Sequence, residues 1–387
     1  MDPIPYGRQS ISEDDIAAVE AVLRSEWLTQ GPTIERFETA VADYVGVAHA
    51  CAVNSATSAL HIACRALGLG AGDLMWTVPN TFVASSNAAL YCGAKVDFVD
   101  IDPVTYNLSV PALEQKLARA EREGGLPKVV MPVHFGGQSC DMREIGMLAQ
   151  RYGFRVIEDA SHAIGGDYLG RKVGCCVYSD FVVFSFHPVK IITTAEGGML
   201  LTRDAALHRT AQLLRSHGIT RDPTAMDRAP DGAWYYQQLD LGFNYRITEM
   251  QAALGLSQMH RIGTFVERRR SVARRYDEAL AALPLGLPGR SPAADSAWHL
   301  YVIQVDAARC GKSRKAVFDA LRAAGIQVNV HYIPVHLQPY YRRFGFGPGQ
   351  FPVSERYYEQ AISVPVYAGL TEAQQTRVIE EVFNALR

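Results

Sequence analysis

Five short runs rich in β-branched and aromatic residues recur along the chain: "DLMWTVP" (73–79), "AKVDFVDID" (94–102), "PKVVMPVHF" (127–135), "FRVIEDAS" (154–161) and "SDFVVFSFH" (179–187). Helix-patterned stretches such as "VPALEQKLARAERE" and "MREIGMLAQRYG" lie between them. Near-continuous apolar strands alternating with amphipathic helices predict an α/β fold on a mostly parallel sheet, since parallel strands need crossover helices that bury both sheet faces. After about residue 250 the pattern changes. A long Arg-rich helix, "TEMQAALGLSQMHRIGTFVERRRSVARRYDEALAAL", is followed by a Pro/Gly/Ala stretch at 284–296 and a shorter α+β segment. The expected division is a large domain over 1–250 and a linking helix plus small domain over 251–387.

A chain of 387 residues with 48% hydrophobic side chains buries a large core, consistent with two domains. Its 38 basic and 40 acidic side chains nearly cancel and form no basic run, which argues against nucleic acid as a partner. No stretch of about 18 uninterrupted apolar residues marks a membrane span, and "MDPIPYGRQSISEDD" lacks the regions of a signal peptide. The seven cysteines form no CxxC pair or His-Cys cluster, so the expectation is a cytoplasmic protein without structural zinc. His331 and His336 are not spaced i,i+4 and have no carboxylate or Cys beside them to complete a ligand set, so no metal site is expected.

The lysine in "FSFHPVKIITTAEGG", Lys190, stands out. An ammonium among Phe, Val and Ile either loses pKa and is used covalently, or packs its stem on those neighbours and sends its head to water. Ligands in open α/β sheets sit at the carboxyl ends of strands, and other polar residues are expected there. "CAVNSATSALHIACRALGLG" (51–70) ends a strand at Asn54 and opens a helix through Ser55, Ala56 and Thr57, which suits either a phosphate or ordinary capping. Asp159 and His162 follow the strand "FRVIED", Ser185 and Lys190 follow the next, and Gly197-Gly198 precede a further one. No GxxxxGK[ST] or GxGxxG is present. A lysine, a carboxylate, and a helix start with hydroxyls, in that arrangement, fit pyridoxal phosphate.

The motifs "EDASHAIGG", "FSFHPVKIITTAEGGM", "RSHGI" and "LGFNYRITEMQAALGLSQ" resemble those of the vitamin B6-dependent sugar aminotransferases of the DegT/DnrJ/EryC1/StrS family, over essentially the whole chain. The segments "YGRQSI", "LTQGP", "NSATSALH", "HFGGQS", "TTAEGG" and "VHYIPVHLQPYY" are most similar to the branch that aminates C4 of a UDP-4-keto sugar for pseudaminic acid. Two departures from the wider family are Ala195, where Gly is usual, and the order Asn54-Ser55.

The resemblance implies a fold type I transferase, with a seven-stranded, mostly parallel sheet in the large domain and a smaller C-terminal α+β domain. It also assigns roles. Lys190 would bind the cofactor covalently and shuttle a proton; Asp159 would keep the pyridine nitrogen protonated. His162 would meet the phenolic oxygen, Phe82 would stack on the ring, and Ala56, Thr57 and Ser185 would hold the phosphate. Asn244 of the other subunit would join them, which implies a homodimer with a shared site. Arg246 is the candidate for a donor carboxylate, and Tyr6, Thr29, Gln30, His331, Tyr332 and His336 for the sugar cleft.

The implied reaction moves the amino group of L-glutamate, leaving 2-oxoglutarate, to a UDP-linked 4-keto-6-deoxy-N-acetylhexosamine, specifically UDP-2-acetamido-2,6-dideoxy-β-L-arabino-hexos-4-ulose. The alternatives are the D-xylo epimer, a 3-keto dTDP sugar, a dehydratase, or a non-catalytic regulator on the same fold. Lys190 argues against the dehydratases that resemble this family, which carry histidine there.

Overall fold

The computed structural model describes residues 2–387. Its large domain is a seven-stranded sheet built from β1 (His49–Val53), β2 (Leu74–Thr77), β3 (Lys95–Phe98), β4 (Val129–Val130), β5 (Arg155–Asp159), β6 (Phe181–Ser185) and β7 (Gly198–Thr202). The strand order is β1-β7-β6-β5-β4-β2-β3. All neighbours are parallel except β7, which runs antiparallel to both β1 and β6. Each of the five predicted runs contains a strand. The longest shortfall is in "PKVVMPVHF", where only Val129–Val130 pair regularly before the chain turns into a short 3-10 segment at Phe135–Gly137.

Helices α1 (Glu13–Leu23), α2 (Pro32–Val45), α3 (Ala56–Ala66), α4 (Val83–Tyr91), α5 (Val110–Glu123), α6 (Met142–Tyr152) and α7 (Ala205–Arg215) accompany the sheet. Local chemistry sets their ends. Ser12 and Asp15 form a reciprocal capping box that starts α1. Gly153, at φ 77°, ends α6 in the left-handed region and returns the chain to the sheet just before β5 delivers Asp159.

The expected single helix after residue 248 is two: α8 (Glu249–Met259) and α9 (Ile262–Leu280). The break at His260–Arg261 lets each helix serve a different neighbour. Glu249 is buried at the start of α8 and its carboxylate accepts from the N–H groups of Thr33 (3.0 Å) and Ile34 (2.9 Å), satisfying the first turn of α2. In α9, Ile262, Phe265 and Val266 belong to the large-domain core, whereas Val272, Ala273, Tyr276 and Leu280 belong to the small-domain core. The change of core therefore falls inside α9.

Between those two sets lies Arg269, only 1% exposed. Among the described residues its guanidinium meets no carboxylate; it donates to the carbonyls of Val366 (2.9 Å), Trp298 (3.2 Å), His299 (3.4 Å) and Lys190 (3.4 Å). Burial pulls its pKa down to about 10. The small domain pairs β8 (Tyr301–Gln304) with β9 (Ala361–Val364), antiparallel. Ile4–Pro5 pair in parallel with Ile326–Gln327, so the first described residues are part of the small-domain side.

Candidate active site

Asp159 ends β5, and its register partner on the adjacent parallel strand is Val183, which puts Asp159 and Ser185 at the same edge of the sheet. The segment from His187 to Glu196 leaves that edge and returns as β7. It is pinned at both ends: Phe186 N–H donates to Gly197 O (3.0 Å), and Thr194 N–H and Thr193 Oγ1 both donate to Phe186 O (3.0 and 2.9 Å). Ala195 lies at φ 65°, in the left-handed region, with its N–H donating to Thr193 Oγ1 (2.9 Å). A left-handed residue without a Cβ would sit there without the usual cost of about 1–2 kcal/mol, which accounts for glycine being usual at this position.

These elements enclose a cavity of about 540 Å³ lined by, among others, Ala56, Thr57, Phe82, Asp159, His162, Ser185 and Lys190. Lys190 takes part in no ion pair or side-chain hydrogen bond among the described residues. Its head faces the cavity within dense protein, and burial, partly offset by the charge of Asp159, pulls its pKa down to about 8. The residue keeps intermediate exposure, toward the cavity.

Asp159 is held on both oxygens: Ser85 Oγ donates to Oδ2 at 2.6 Å and Ser161 N–H to Oδ1 at 3.1 Å. Gly136 N–H donates to His162 Nδ1 (3.3 Å), so the imidazole proton resides on Nε2, 3.2 Å from the Tyr332 hydroxyl. Burial, with the nearby charges of Lys190 and His331, pushes His162 well below the usual imidazole range. His331 is pulled down to about 3 by burial and by Lys190, and His299, whose ring lies 4.3 Å from that of His162, is likewise lowered by burial first. Burial thus disfavours the charged form of all three imidazoles.

At the other wall, Ser55 caps α3 by accepting from Ser58 N–H (3.1 Å), leaving the N–H groups of Ala56 and Thr57 without an acceptor among the described residues. β7 passes close beside them. A Cβ on Gly198 would lie 2.6 Å from Ala56 N and from Ser55 C and O, so only glycine lets the strand approach the helix start. Phe82, at the N-cap of α4, is 59% exposed on the cavity rim.

Of the residues expected in the sugar cleft, Tyr6, His331 and Tyr332 line the cavity. His336 does not. It is completely buried and its Nε2 bonds Glu355 Oε1 at 2.9 Å, so its polarity serves the fold. Thr29, Gln30, Asn244 and Arg246 also lie outside the cavity of their own chain. Gln30 Nε2 donates to Ile247 O (2.8 Å), and the backbone of Arg246 bridges to Val53 and that of Asn244 to Ser216. Sequence reasoning missed Ser85, which holds Asp159, and His299 and Asn329, which line the cavity. Ser85 lies in the same "PNTFVASSN" segment that supplied Phe82, so its presence beside a cavity residue was the available signal.

Comparison with known proteins agrees with this geometry. The DegT/DnrJ/EryC1/StrS aminotransferase family matches residues 9–383. The chain belongs to that family. It is 39% identical to the spore coat polysaccharide biosynthesis protein SpsC of Bacillus subtilis, over 99% of this chain and 97% of the relative. Among solved structures it is similar to Helicobacter pylori PseC, an aminotransferase involved in the biosynthesis of pseudoaminic acid, with a TM-score of 0.91 and 30% identity over 100% of this chain and 99% of that one. It is also similar to the putative sugar aminotransferase Spr1654 of Streptococcus pneumoniae in its PMP form, with a TM-score of 0.89 and 29% identity over 99% and 98% of the two chains. Like the family, this chain is a pyridoxal phosphate-dependent sugar aminotransferase of fold type I. The cavity fits that cofactor by its own chemistry: an unpaired amine, a carboxylate held on both oxygens, and free N–H groups at a helix start beside a hydroxyl.

Proposed function

We propose that the enzyme transfers the amino group of L-glutamate to C4 of UDP-2-acetamido-2,6-dideoxy-β-L-arabino-hexos-4-ulose, on the way to pseudaminic acid, in a cavity shared between two subunits of a homodimer. The likeness to PseC over the whole of both chains carries the choice of substrate. The cofactor, when bound, supplies a conjugated ring that withdraws electrons from the carbon under attack.

The chain's residues supply the rest. Lys190, with its amine pulled toward neutrality, holds the cofactor and then takes and returns a proton on one face of the substrate carbon, which sets a single epimer. Asp159 keeps the pyridine nitrogen protonated, and Ser85 and Ser161 fix the orientation of its carboxylate. Phe82 would cover the ring, and His162, its one proton on Nε2 and shared in this structure with the Tyr332 hydroxyl, would turn that donor toward the phenolic oxygen. Ala56, Thr57 and Ser185 hold the phosphate by N–H and O–H donors. Tyr6, His331 and Tyr332 seat the sugar.

Thr29, Gln30, Asn244 and Arg246 gather around Ile247 outside their own cavity, and we assign them to the partner's: Asn244 to the phosphate, Arg246 to the donor carboxylate. Mixing Lys190→Ala and Asn244→Asp chains into hybrid dimers should then restore one competent site. No recovery after proven subunit exchange refutes the shared site. For the substrate, enzyme first loaded with amine from glutamate is offered both 4-keto epimers and a 3-keto dTDP sugar, and kcat/KM is compared. The L-arabino epimer is expected to win; a preference for either rival refutes the assignment while leaving the aminotransferase chemistry standing.

A further inference from the structure

Behind the cofactor-binding edge of the sheet lies a buried acid–imidazole pair that the amino transfer does not touch. Glu158 and Asp159 are successive residues of β5, so their side chains leave opposite faces: Asp159 lines the cavity, and Glu158 points behind it. There Glu158 Oε2 meets His134 Nε2 at 2.7 Å, and Ser179 Oγ donates to Oε1 at 2.5 Å. His134 is 0% and Glu158 5% exposed. Ionisable groups taken out of water cost free energy unless each is bonded within the protein, so a pair placed here calls for a reason.

The reason lies in what the imidazole joins. Cys140 N–H donates to His134 Nδ1 at 3.1 Å, so Nε2 is the nitrogen that donates to the carboxylate, and one ring closes the loop 134–140 while tying it to β5. The backbone of that loop meets two cofactor-site residues. His134 N–H donates to Asp159 O at 3.0 Å, and Gly136 N–H donates to His162 Nδ1 at 3.3 Å. Asn107 steadies the loop from the other side, accepting from Phe135 N–H (2.8 Å) and donating to the carbonyls of Gln138 and Ser139 (both 3.0 Å). Asn107 thus holds the loop's shape. Among the loop's side chains, only that of His134 bonds to β5 in the described residues.

We propose that the His134–Glu158 pair positions His162: it holds the loop 134–140 where Gly136 N–H occupies His162 Nδ1, and so keeps the imidazole proton on Nε2, facing the cavity. This rests on the proposed contact of His162 with the cofactor's phenolic oxygen. If the loop draws back, Nδ1 loses its donor and the proton is free to move there. Nε2 then offers a lone pair where the phenolic oxygen needs a donor. The consequence is readable in the cofactor. A donor on the phenolic oxygen draws negative charge away from the protonated nitrogen that links the cofactor to Lys190, and that nitrogen gives up its proton more readily. Removing the donor therefore moves its pH midpoint up. The pair acts on the cofactor through Gly136 and His162 and touches neither cofactor nor substrate.

The test is a pH titration of the visible cofactor band in holoenzyme, alongside urea unfolding of each variant. Glu158→Met fills the space of the glutamate but leaves His134 without its acceptor, and the pH midpoint should rise by about one unit. Glu158→Gln, whose amide oxygen still accepts from Nε2, should bring it back to the wild-type value. His162→Ala should raise the midpoint by itself, and adding Glu158→Met should raise it no further, because the pair acts through that imidazole. If Glu158→Met does not fold, Glu158→Asp, which keeps the charge but withdraws it by one methylene, should shift the midpoint in the same direction. An unmoved pH midpoint in the folded variant, with only a lower urea midpoint, makes the pair a purely structural one and overturns the proposal. A full additional shift in the double variant overturns it too, while leaving the role of His162 standing. A wild-type pH midpoint in His162→Ala removes the phenolic contact itself, and the proposal with it.

Discussion

Replacing Arg269 by methionine tests whether the buried guanidinium between the two cores holds the structure together or only burdens it. Its two better bonds, to Val366 O at 2.9 Å and Trp298 O at 3.2 Å, are charge-assisted, each worth about 1.5–3 kcal/mol, and together about 3–6 kcal/mol. Against this stands the cost of keeping the cation out of water. A pKa held at about 10 instead of 12.5 corresponds to about 3 kcal/mol, at roughly 1.4 kcal/mol per tenfold change in the ionisation equilibrium. Methionine fills the space of the stem and removes that cost, but leaves four buried carbonyls without their donor. The difference of about 0–3 kcal/mol, to which the carbonyls left unpaired add, predicts a net destabilisation. Urea unfolding followed by circular dichroism should show a lower midpoint with an unchanged slope. Arg269→Lys should fall between the two, because one ammonium cannot reach all four acceptors. A methionine variant as stable as the parent would refute the reasoning: the carbonyl bonds would then be weaker than the burial they offset.

The remaining predictions concern the cavity and its surroundings. In apoenzyme, covalent uptake of pyridoxal phosphate should rise as pH passes through about 8, since the amine must be neutral to react. Asp159→Asn removes the charge that holds the Lys190 pKa up and should move that midpoint to lower pH; a shift upward in cofactor-uptake assays would contradict this sign. Gly198→Ala should lower the cofactor-bound fraction, read from visible absorbance, because the added Cβ displaces the start of α3; undiminished occupancy would exclude the close approach as a requirement. His336→Ala should destabilise the fold by about 1–3 kcal/mol while leaving KM for the sugar unchanged, as its bond to Glu355 is internal. A selective rise in KM would return His336 to the cleft.

The sheet was legible because its strands are apolar runs whose period and length exclude most alternatives, and the residues following those strands were legible because strand ends are where polar groups collect. Other features left weaker traces. The break between α8 and α9 is not marked in "SQMHRIGT", since no Pro is present and its one glycine, Gly263, falls inside α9 rather than at the joint; the cause is tertiary, α8 serving α2 while α9 spans two cores. A two-residue parallel pairing such as Ile4–Pro5 with Ile326–Gln327 carries no periodic signal at all. His336 reads as a cleft residue beside His331 and Tyr332, yet the chain turns at Pro334 and buries it against Glu355. His299 sits next to an Ala/Pro-rich stretch and acquires its neighbour, His162, only through the fold.

The pairing of Ile4–Pro5 with Ile326–Gln327 has a further consequence for the order in which the enzyme becomes able to work. Tyr6 belongs to the cavity wall, and its carbonyl is fixed by Val366 N–H at 3.0 Å. A nascent chain exposes Tyr6 early, but its docking strand emerges more than three hundred residues later. At roughly 5–20 residues per second, the N-terminal segment waits about 15–60 s on the ribosome for its partner. During that interval the seven-stranded sheet, complete by Thr202, can form, while the cavity stays open on the Tyr6 side. Cofactor arriving during synthesis would meet a half-walled site, and tight retention should begin only after the last strands have left the exit tunnel.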